Sequence, residues 1–389
     1  MIEVLYISPS ALPSRTANSV HVVHQCAGLK AAGADVTLVA HRTVRRAADL
    51  PKAVAGAYGV DPEAMRLASV HNPFPFGDQI LITARALARL IAGPRPNVIL
   101  SRNLYASWLF ACVLGRPILF ETHQLEPGFR RRLQRAVSTR PHVTTIVISR
   151  ELEALLAEHL GVAPTRTVVL HDAAPDGLAP LPAEQKRPVL GKIVGRDLTD
   201  FAATAGYFGQ LYAGRGIEII EAVARKRPDM VFLVFGGSEH DIAVRRTENA
   251  GANVVYAGFV PHGTARAAMA ACDILLMPYQ SSVSIGVAGH DTARWMSPMK
   301  MFEYLGSGSA VVSSDLPVLR EVLEDGRTAL LAAPDDVDAW LERLDRLVAD
   351  PTLRATIGAA AHESYRRAHT WSRRAEAILI AGAALWEAK

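Results

Sequence analysis

One segment in the second half of the chain places a helix start, a lysine and a glutamate at a spacing that suits a phosphorylated ligand. The segment RWMSPMKMFEYLGSGSAVVSSD covers residues 294–315. Ser297 is a favourable N-cap and Pro298 suits the first helical position, so free amides and a positive dipole end lie beside Lys300. A cation there is unfavourable unless an anion binds. Glu303 follows roughly 7.5 Å along the axis from Pro298, about the reach from a β-phosphate to a ribose.

A second candidate phosphate site is the glycine-rich stretch GYFGQLYAGRG, residues 206–216. It lies between a predicted strand and a predicted helix. Compared with the phosphate loop G-x-x-x-x-G-K-[ST], Arg215 replaces the lysine and Gly216 replaces the magnesium-binding hydroxyl residue. These differences exclude a nucleoside triphosphatase. Exposed amides at a helix start, together with a guanidinium, still favour a diphosphate.

Two side chains in the first half follow predicted strands, where ligands of open parallel sheets bind. Arg102 follows NVILS (97–101) and His123 follows PILFE (117–121). A titratable side chain at such a crevice is a site candidate. A structural role for His123 is the equal alternative.

The first strand–helix loop, SPSALPSRTANS (8–19), contains no glycine. A dinucleotide site needs G-x-G-x-x-G at this point, so the loop argues against an NAD-dependent dehydrogenase. Asn18 or Ser19 is placed to cap the following helix, and a contact with ligand is the alternative.

Two charged segments raise the question of membrane contact and of metal binding. GFRRRLQRAV (128–137) predicts a basic amphipathic helix with Phe129, Leu133 and Ala136 on one face. A solvated face is the simpler interpretation, and contact with an anionic membrane is the alternative. Residues 336–338 form a D-x-D, but acids before a helix are expected from the helix dipole, so we predict no metal there.

Composition sets limits on the class of protein. The chain has 389 residues, of which 50% are hydrophobic and 21% charged, with a formal net charge of +4. This is a globular composition, and the charge is too small to indicate a nucleic-acid partner. Three separated cysteines predict neither a disulfide framework nor a zinc site, which suits the cytoplasm. The chain opens directly into a strand-like run, so we expect no signal peptide, and no apolar run approaches the roughly 18 residues of a spanning helix.

Strand-like and helix-like segments alternate along the chain, which predicts parallel sheets covered on both faces. In the first half the further strand-like runs are residues 2–7, 36–40, 144–149 and 167–171, and in the second half they are 203–209, 230–237, 253–259, 273–279 and 309–315. Residues 173–204 contain four prolines and are predicted to be a linker. Residues 369–389 predict a helix with Trp371, Ala375, Ile378 and Leu379 on one face. We therefore expect two Rossmann-like domains facing an interdomain cleft.

With these motifs, the chain resembles the retaining glycosyltransferases of the GT-B fold, in particular family 4, the glycogen-synthase-like group 1 enzymes. GQLYAGRG (209–216) resembles the family's G-R-L-x-x-x-K-G turn, and SPMKMFEYLGSGSAVVSSDLPVLREVL (297–323) resembles its nucleotide-sugar helix. Two positions differ from the family pattern. Trp295 stands where the first Glu of E-x7-E is expected, and Gln210 replaces the arginine of the turn.

The resemblance implies a role for each matched residue. Arg215 and Lys300 hold the donor diphosphate, Glu303 binds the ribose, and His123 adjoins the transferred sugar. The remaining donor-side residues are Gly209, Gln210, Gly237, Phe259, Val260, Ser297, Pro298 and Met299. On the acceptor or phosphate side the resemblance implies Asn18 and Ser19, and position suggests Arg102.

We expect an acceptor-side domain at 1–180, a nucleotide-sugar domain at 181–370 and a helix at 371–389 that crosses back to the first domain. The expected activity is metal-independent transfer, without a cofactor, from a UDP- or GDP-sugar to a hydroxyl of a sugar, lipid or small molecule. A nucleotide-sugar epimerase and a non-catalytic sugar-binding protein of the same fold are the alternatives. We expect a cytoplasmic protein, with peripheral contact at the inner membrane face as an option.

Overall fold

The chain folds into two α/β units, each built around its own parallel sheet. The computed structural model describes residues 2–72, 77–248, 251, 253–284 and 291–387. Unit 1 comprises Met1–Ala173 and Thr370–Lys389, and unit 2 comprises Ala174–His369.

The sheet of unit 1 has seven strands within the described ranges. They are β1 (Ile2–Leu12), β2 (Ala34–Arg42), β3 (Arg66–Leu67), β4 (Val98–Ser101), β5 (Ile118–Thr122), β6 (Val143–Val147) and β7 (Thr167–Val169). All pairs are parallel, in the order β3-β2-β1-β4-β5-β6-β7. Val4 and Tyr6 pack into one hydrophobic cluster while Leu5 and Ile7 pack into another. This alternation covers the sheet on both faces, because successive side chains of a strand point in opposite directions.

Helices cover both faces of this sheet, and one of them comes from the far end of the chain. They are α1 (Ala17–Ala31), α2 (Leu50–Tyr58), α3 (Asp78–Ala92), α4 (Leu104–Trp108), α5 (Gly128–Ser138), α6 (Arg150–Leu160) and α14 (Trp371–Glu387); a 3-10 turn (Ala47–Asp49) precedes α2 and a π turn (Leu109–Val113) follows α4. The predicted apolar face of α14 is confirmed at Trp371, Ala375 and Ile378, all buried. Helix α14 packs so closely on α1 that a Cβ atom at Gly28 would lie 2.4 Å from the Trp371 carbonyl oxygen.

Unit 2 repeats the architecture with a six-stranded parallel sheet in the part of the chain that is described. Its strands are β8 (Ala203–Phe208), β9 (Met230–Phe235), β10 (Val254–Gly258), β11 (Ile274–Met277), β12 (Ala310–Ser314) and β13 (Leu330–Ala332), in the order β10-β9-β8-β11-β12-β13. Its helices are α7 (Ala183–Val194), α8 (Ile217–Lys226), α9 (Glu239–Glu248), α10 (His262–Ala271), α11 (Met299–Ser307), α12 (Val337–Ala349) and α13 (Pro351–Ala368). Every strand-like run predicted from the sequence coincides with a strand, whereas β3 and β13 were not predicted.

The interpretation of residues 173–204 as a linker is wrong, because α7 occupies their middle. Leu190 is fully buried, and Val189, Ile193 and Val194 pack against the core of unit 2. These apolar side chains recur at helical spacing, and their burial outweighs the helix-breaking effect of Pro188 inside the helix.

Two predicted helix starts are displaced. Strand β1 continues to Leu12, so the first strand–helix loop is much shorter than 8–19. The Thr16 side chain caps α1 by accepting from the Ser19 amide, so neither Asn18 nor Ser19 is the cap. At α11 the cap position is Pro298 rather than Ser297, because Pro298 has an extended backbone and the helix begins at Met299.

The basic helix α5 lies differently from the prediction. Leu133 and Val137 are buried, but Phe129 is 66% exposed, so Phe129 does not share the buried face. At the D-x-D, Asp336 caps α12 by accepting from two amides, which confirms the helix-start interpretation. Among the described helices, none is both long enough and apolar enough to cross a bilayer.

Candidate functional site

The glycine turn at residues 209–216 joins β8 to α8 at the carboxyl edge of the sheet in unit 2. Gly216 occupies the cap position with a φ of 77°, and a Cβ there would lie 1.8 Å from the Pro278 carbonyl oxygen. A side chain is therefore excluded on both conformational and steric grounds. The turn leads into the N-terminal end of α8, and this end of a helix attracts anions.

Arg215 lies in this turn, held by one aromatic neighbour. Its Nη1 donates to the Tyr279 hydroxyl at 3.0 Å, and its guanidinium lies 5.2 Å from the centre of the Tyr279 ring. Its Nε is buried, and no described atom accepts a hydrogen bond from it. A buried donor without an acceptor is unfavourable, so this atom is a candidate for binding a ligand.

Lys300, the second residue of α11, lies beside the same turn. Its Nζ is 4.2 Å from the centre of the Tyr207 ring and 4.6 Å from that of the Tyr279 ring. A Cβ at Gly209 would lie 3.3 Å from that nitrogen. Burial and the nearby Arg215 charge hold the pKa of Lys300 well below its usual value. An anion bound beside both cations would oppose this depression and favour the charged lysine.

Glu303 lies one helical turn beyond Lys300 on α11 and is partly buried. Burial raises the pKa of its carboxyl to about 7, against the opposing attraction of Arg266. A partly desolvated carboxylate of this kind can accept hydrogen bonds from paired hydroxyls, as a ribose presents them.

The remaining donor-side candidates divide by position. Gly209, Gly237 and Phe259 follow the adjacent strands β8, β9 and β10. Hydrogen bonds join these strand ends, from the Gly209 amide to the Phe235 carbonyl and from the Gly236 amide to the Gly258 carbonyl. Lys300 lies at the same edge, beside Gly209 at the start of the glycine turn.

The other candidates of unit 2 differ in exposure. The Gln210 side chain is exposed, and the backbone carbonyl of Gln210 accepts from the Tyr207 hydroxyl at 2.7 Å. Phe259 is 53% exposed. Ser297 is buried, whereas Val260, Pro298 and Met299 are partly buried.

In unit 1 the structure brings Arg102 and His123 together at the ends of the neighbouring strands β4 and β5. Arg102 Nη2 donates to His123 Nδ1 at 3.1 Å, and His123 Nε2 donates to Glu121 Oε1 at 2.8 Å. The imidazole is therefore neutral, with its proton on Nε2. Burial and Arg102 lower the pKa of His123 to about 4.

Asn18 and Ser19 lie in the first turn of α1. The Ser19 hydroxyl donates to the Ala11 carbonyl at 2.9 Å and also bonds to the Ser14 and Thr16 hydroxyls. These contacts brace the loop after β1. The Oδ1 of Asn18 is buried and accepts no hydrogen bond from the described residues.

Sequence reasoning missed the buried groups behind His123. Glu121 interrupts the apolar strand β5, and Asp172 follows β7. Arg374 on α14 and His21 on α1 complete the cluster. A charged residue inside an otherwise apolar strand was the signal that could have identified Glu121.

Within the described ranges, one group of potential metal ligands lies close together, namely His21, His123 and Asp172, whose donor atoms are within 4.8 Å of one another. His21 Nδ1 donates to Asp172 Oδ1 at 2.8 Å, and both nitrogens of His123 are hydrogen-bonded. Arg102 and Arg374 add positive charge to the same network. These donors are engaged with one another, and the arrangement does not fit a divalent cation.

Two family models match successive parts of the chain. Residues 19–174 match the model of Glycosyltransferase Family 4, and residues 215–380 match the model described as Glycosyl transferase-like. A phosphatidyl-myo-inositol mannosyltransferase of Mycolicibacterium smegmatis is 29% identical over 145 residues, covering 37% of this chain and 34% of that protein. A protein of the same name from Mycobacterium tuberculosis is 27% identical over 160 residues, covering 40% and 39%. The matched part spans little more than a third of these relatives.

Similar solved structures cover the chain almost completely. HepE of Anabaena, solved in complex with UDP, has a TM-score of 0.73 at 15% identity and covers 98% of this chain and 99% of its own. Sucrose-phosphate synthase of Thermosynechococcus elongatus has a TM-score of 0.74 at 16% identity, with both chains covered to 100%. At these identities the similarity establishes the fold, which is GT-B.

Proposed function

Because the chain belongs to glycosyltransferase family 4, we propose that it transfers a sugar from a nucleoside-diphosphate donor to an acceptor hydroxyl, with retention of configuration. The observation that carries the proposal is the pairing of Arg215 and Lys300 beside the glycine turn. Two cations, a buried guanidinium Nε without an acceptor and a helix start converge there. A diphosphate supplies the negative charge that this arrangement lacks.

In the proposed mechanism, the protein accelerates transfer by stabilising the leaving diphosphate. As the bond from the anomeric carbon to the diphosphate oxygen breaks, its electron pair passes to the diphosphate. Arg215, Lys300 and the first amides of α8 are fixed before the reaction and offset the growing charge without a metal. We assign Glu303 to the ribose hydroxyls.

The acceptor hydroxyl attacks the anomeric carbon from the face that the diphosphate leaves, and its proton passes to the departing phosphate oxygen. This route needs no side-chain base. The route is consistent with the low pKa of His123, because an imidazole with a pKa of about 4 is a weak base at neutral pH. We place His123 beside the transferred sugar as a neutral hydrogen-bonding group.

We propose a UDP- or GDP-hexose as the donor. HepE was solved with UDP, and the curated relatives are named as mannosyltransferases. A ribose contact through Glu303 is common to both nucleotides and does not distinguish them.

Calorimetry with UDP and GDP, followed by transfer assays over a panel of sugar donors, tests the proposal. We expect Arg215→Ala and Lys300→Ala each to remove roughly 2.7–4 kcal/mol of transition-state stabilisation, a loss of about 100- to 1000-fold. Wild-type activity should survive EDTA. Lys226→Ala is the matched control, because Lys226 forms an exposed ion pair with Asp338 on another helix of unit 2.

Three results would contradict the proposal in different ways. Conversion of the donor sugar without transfer would indicate an epimerase. Binding of a nucleotide sugar without turnover would indicate a binding protein. Activity that requires added magnesium or manganese would exclude the metal-free diphosphate site.

We also propose that α5 contacts an anionic lipid surface and brings the enzyme to its acceptor. Arg131, Arg132 and Arg135 are exposed beside Phe129, which is 66% exposed. The adjacent segment 108–114 exposes three further apolar side chains, at Trp108, Val113 and Leu114. Arginines that flank exposed aromatic and aliphatic groups are typical of interfacial binding.

Sedimentation with vesicles tests this contact. Binding to phosphatidylglycerol vesicles should exceed binding to phosphatidylcholine vesicles and should weaken with salt. The triple change Arg131→Gln, Arg132→Gln, Arg135→Gln should reduce it. The matched control is Arg45→Gln, Arg46→Gln, which alters two exposed arginines elsewhere in unit 1. Equal reduction by both sets would contradict a specific role for α5.

A further inference from the structure

Glu121 forms the centre of a buried charge network behind His123. Its side chain is fully buried in β5. Three nitrogens surround its Oε1, namely His123 Nε2 at 2.8 Å, Arg374 Nη2 at 2.8 Å and His21 Nε2 at 3.0 Å. One carboxylate oxygen thus connects the predicted site histidine to the helix at the chain's end.

Arg374 is fixed on every side. Its Nε donates to the His171 carbonyl at 2.9 Å, Nη1 donates to Gln25 Oε1, and Nη2 donates both to Glu121 and to the Leu170 carbonyl at 3.3 Å. The residue is only 4% exposed. A planar guanidinium held by four partners has little freedom, so it fixes the Glu121 oxygen in space.

The Glu121 oxygen in turn fixes His123. Arg374 and His21 favour the charged carboxylate and hold the pKa of Glu121 well below its usual value, despite burial. A charged Glu121 accepts a hydrogen bond from the Nε2–H of His123, while Arg102 donates to Nδ1. The ring plane and the tautomer of His123 are therefore set from both ends.

We propose that Arg374 is a positioning residue for His123 and acts through Glu121. The inference rests on the proposed function, in which His123 adjoins the transferred sugar. Arg374 itself lies behind the imidazole and acts on the sugar through Glu121 and His123. The C-terminal helix is thereby part of the catalytic apparatus of unit 1.

The primary test is Arg374→Met, with Arg374→Lys as the conservative variant. Arg373→Met is the matched control, because Arg373 is on the same helix, half exposed, and pairs with Glu376 at 2.9 Å. We expect Arg374→Met to lower kcat about 10- to 100-fold, as misplacement of a site group does. The Kd for UDP or GDP should stay within about twofold, because the proposed donor site is in unit 2. Arg374→Lys should recover part of kcat, and Arg373→Met should match wild type.

A spectroscopic readout tests the inference independently of activity. In ¹⁵N-histidine NMR spectra the wild-type His123 signals, assigned with His123→Gln, should show the Nε2–H tautomer. Arg374→Met should change that signature, whereas Arg373→Met should not. If no donor supports transfer, the proposed function fails, but this comparison still decides the link between Arg374 and His123.

Loss of the buried cation could prevent folding, and a double variant covers that outcome. Glu121→Gln, Arg374→Met removes both charges and leaves an amide oxygen to accept from His123. We expect it to fold and to show lowered kcat with an altered His123 signature. Wild-type kcat together with unchanged His123 signals in Arg374→Met, or in the double variant if the single one does not fold, would overturn the inference.

Discussion

Tyr279 serves both cations of the proposed donor site. Its hydroxyl accepts from Arg215, and the face of its ring lies 4.6 Å from Lys300 Nζ. The hydroxyl and the ring are separable by mutation. The residue therefore allows the position of the guanidinium to be tested without removing either charge.

We predict that Tyr279→Phe weakens binding of UDP or GDP by several-fold while leaving the fold intact. The change frees Arg215 Nη1 from its acceptor but keeps the ring beside Lys300. Hydrogen bonds to charged groups contribute about 1.5–3 kcal/mol, part of which the bound diphosphate would replace. Calorimetric Kd values decide the outcome. Tyr365→Phe, which loses a buried hydroxyl contact to the Pro175 carbonyl, is the control and should bind nucleotide normally.

The raised pKa of Glu303 predicts that the stability of the fold depends on pH. Its folded pKa of about 7 lies above the ordinary 4.5, so the fold favours the protonated acid. Stability is therefore lost as the pH rises from about 4.5 through 7. At pH 8, Glu303→Gln should increase the unfolding free energy of the unliganded protein by roughly 1–3 kcal/mol, which a higher melting temperature would show. Near pH 4 the variant and the wild type should have the same melting temperature.

The same variant should bind the donor more weakly, because it lacks the charged acceptor for the ribose. Stabilisation and weaker binding together are the expected result. Unchanged nucleotide affinity would remove Glu303 from the site. A melting temperature that falls at pH 8 would show that its carboxylate is not desolvated.

At the scale of elements, the start of α8 depends on Gly216. We predict that Gly216→Ala destabilises unit 2 and abolishes nucleotide binding, because its Cβ would meet the Pro278 carbonyl oxygen. Gly326→Ala is a matched control. Gly326 has a similar φ of 74° with open space around it, so it should lose only about 1 kcal/mol from backbone strain.

Thermal unfolding and calorimetry on both alanine variants separate strain from steric conflict. Similar stability and similar nucleotide binding in the two variants would show that the close approach to Pro278 is unimportant.

Local sequence signals predicted most elements but not their distant partners. Apolar runs such as MVFLVF identified buried strands because period and composition are local properties. The cap of α11 was displaced by one residue, since Ser297 and Pro298 both carry signals for a helix start. The contact between Glu121 and Arg374 joins residues 253 positions apart, and no local pattern encodes it.

At the scale of the whole molecule, α14 brings the C-terminal part of the chain into the unit that the first 173 residues form. We predict that truncation after His369 destabilises unit 1 and spares unit 2. The truncation removes the buried Trp371, Ala375, Ile378 and Leu385, and it leaves Glu121 without Arg374. Limited proteolysis should cleave residues 1–173 first, while nucleotide binding persists.

A truncation after Glu387 is the control and should behave as wild type. Loss of nucleotide binding in the shorter chain, with unit 1 still resistant to protease, would contradict the prediction.

The origin of α14 at the far end of the chain has a consequence for biosynthesis. Domains usually fold in the order in which the ribosome makes them. Here the residues of unit 1 emerge first, but its cluster around Val22, Val23 and Leu29 is closed only when α14 has been translated. Unit 2 is complete earlier, at His369. The nascent chain therefore carries an unfinished first unit throughout the synthesis of the second, and during this interval the apolar side chains that α14 later covers are accessible to chaperones.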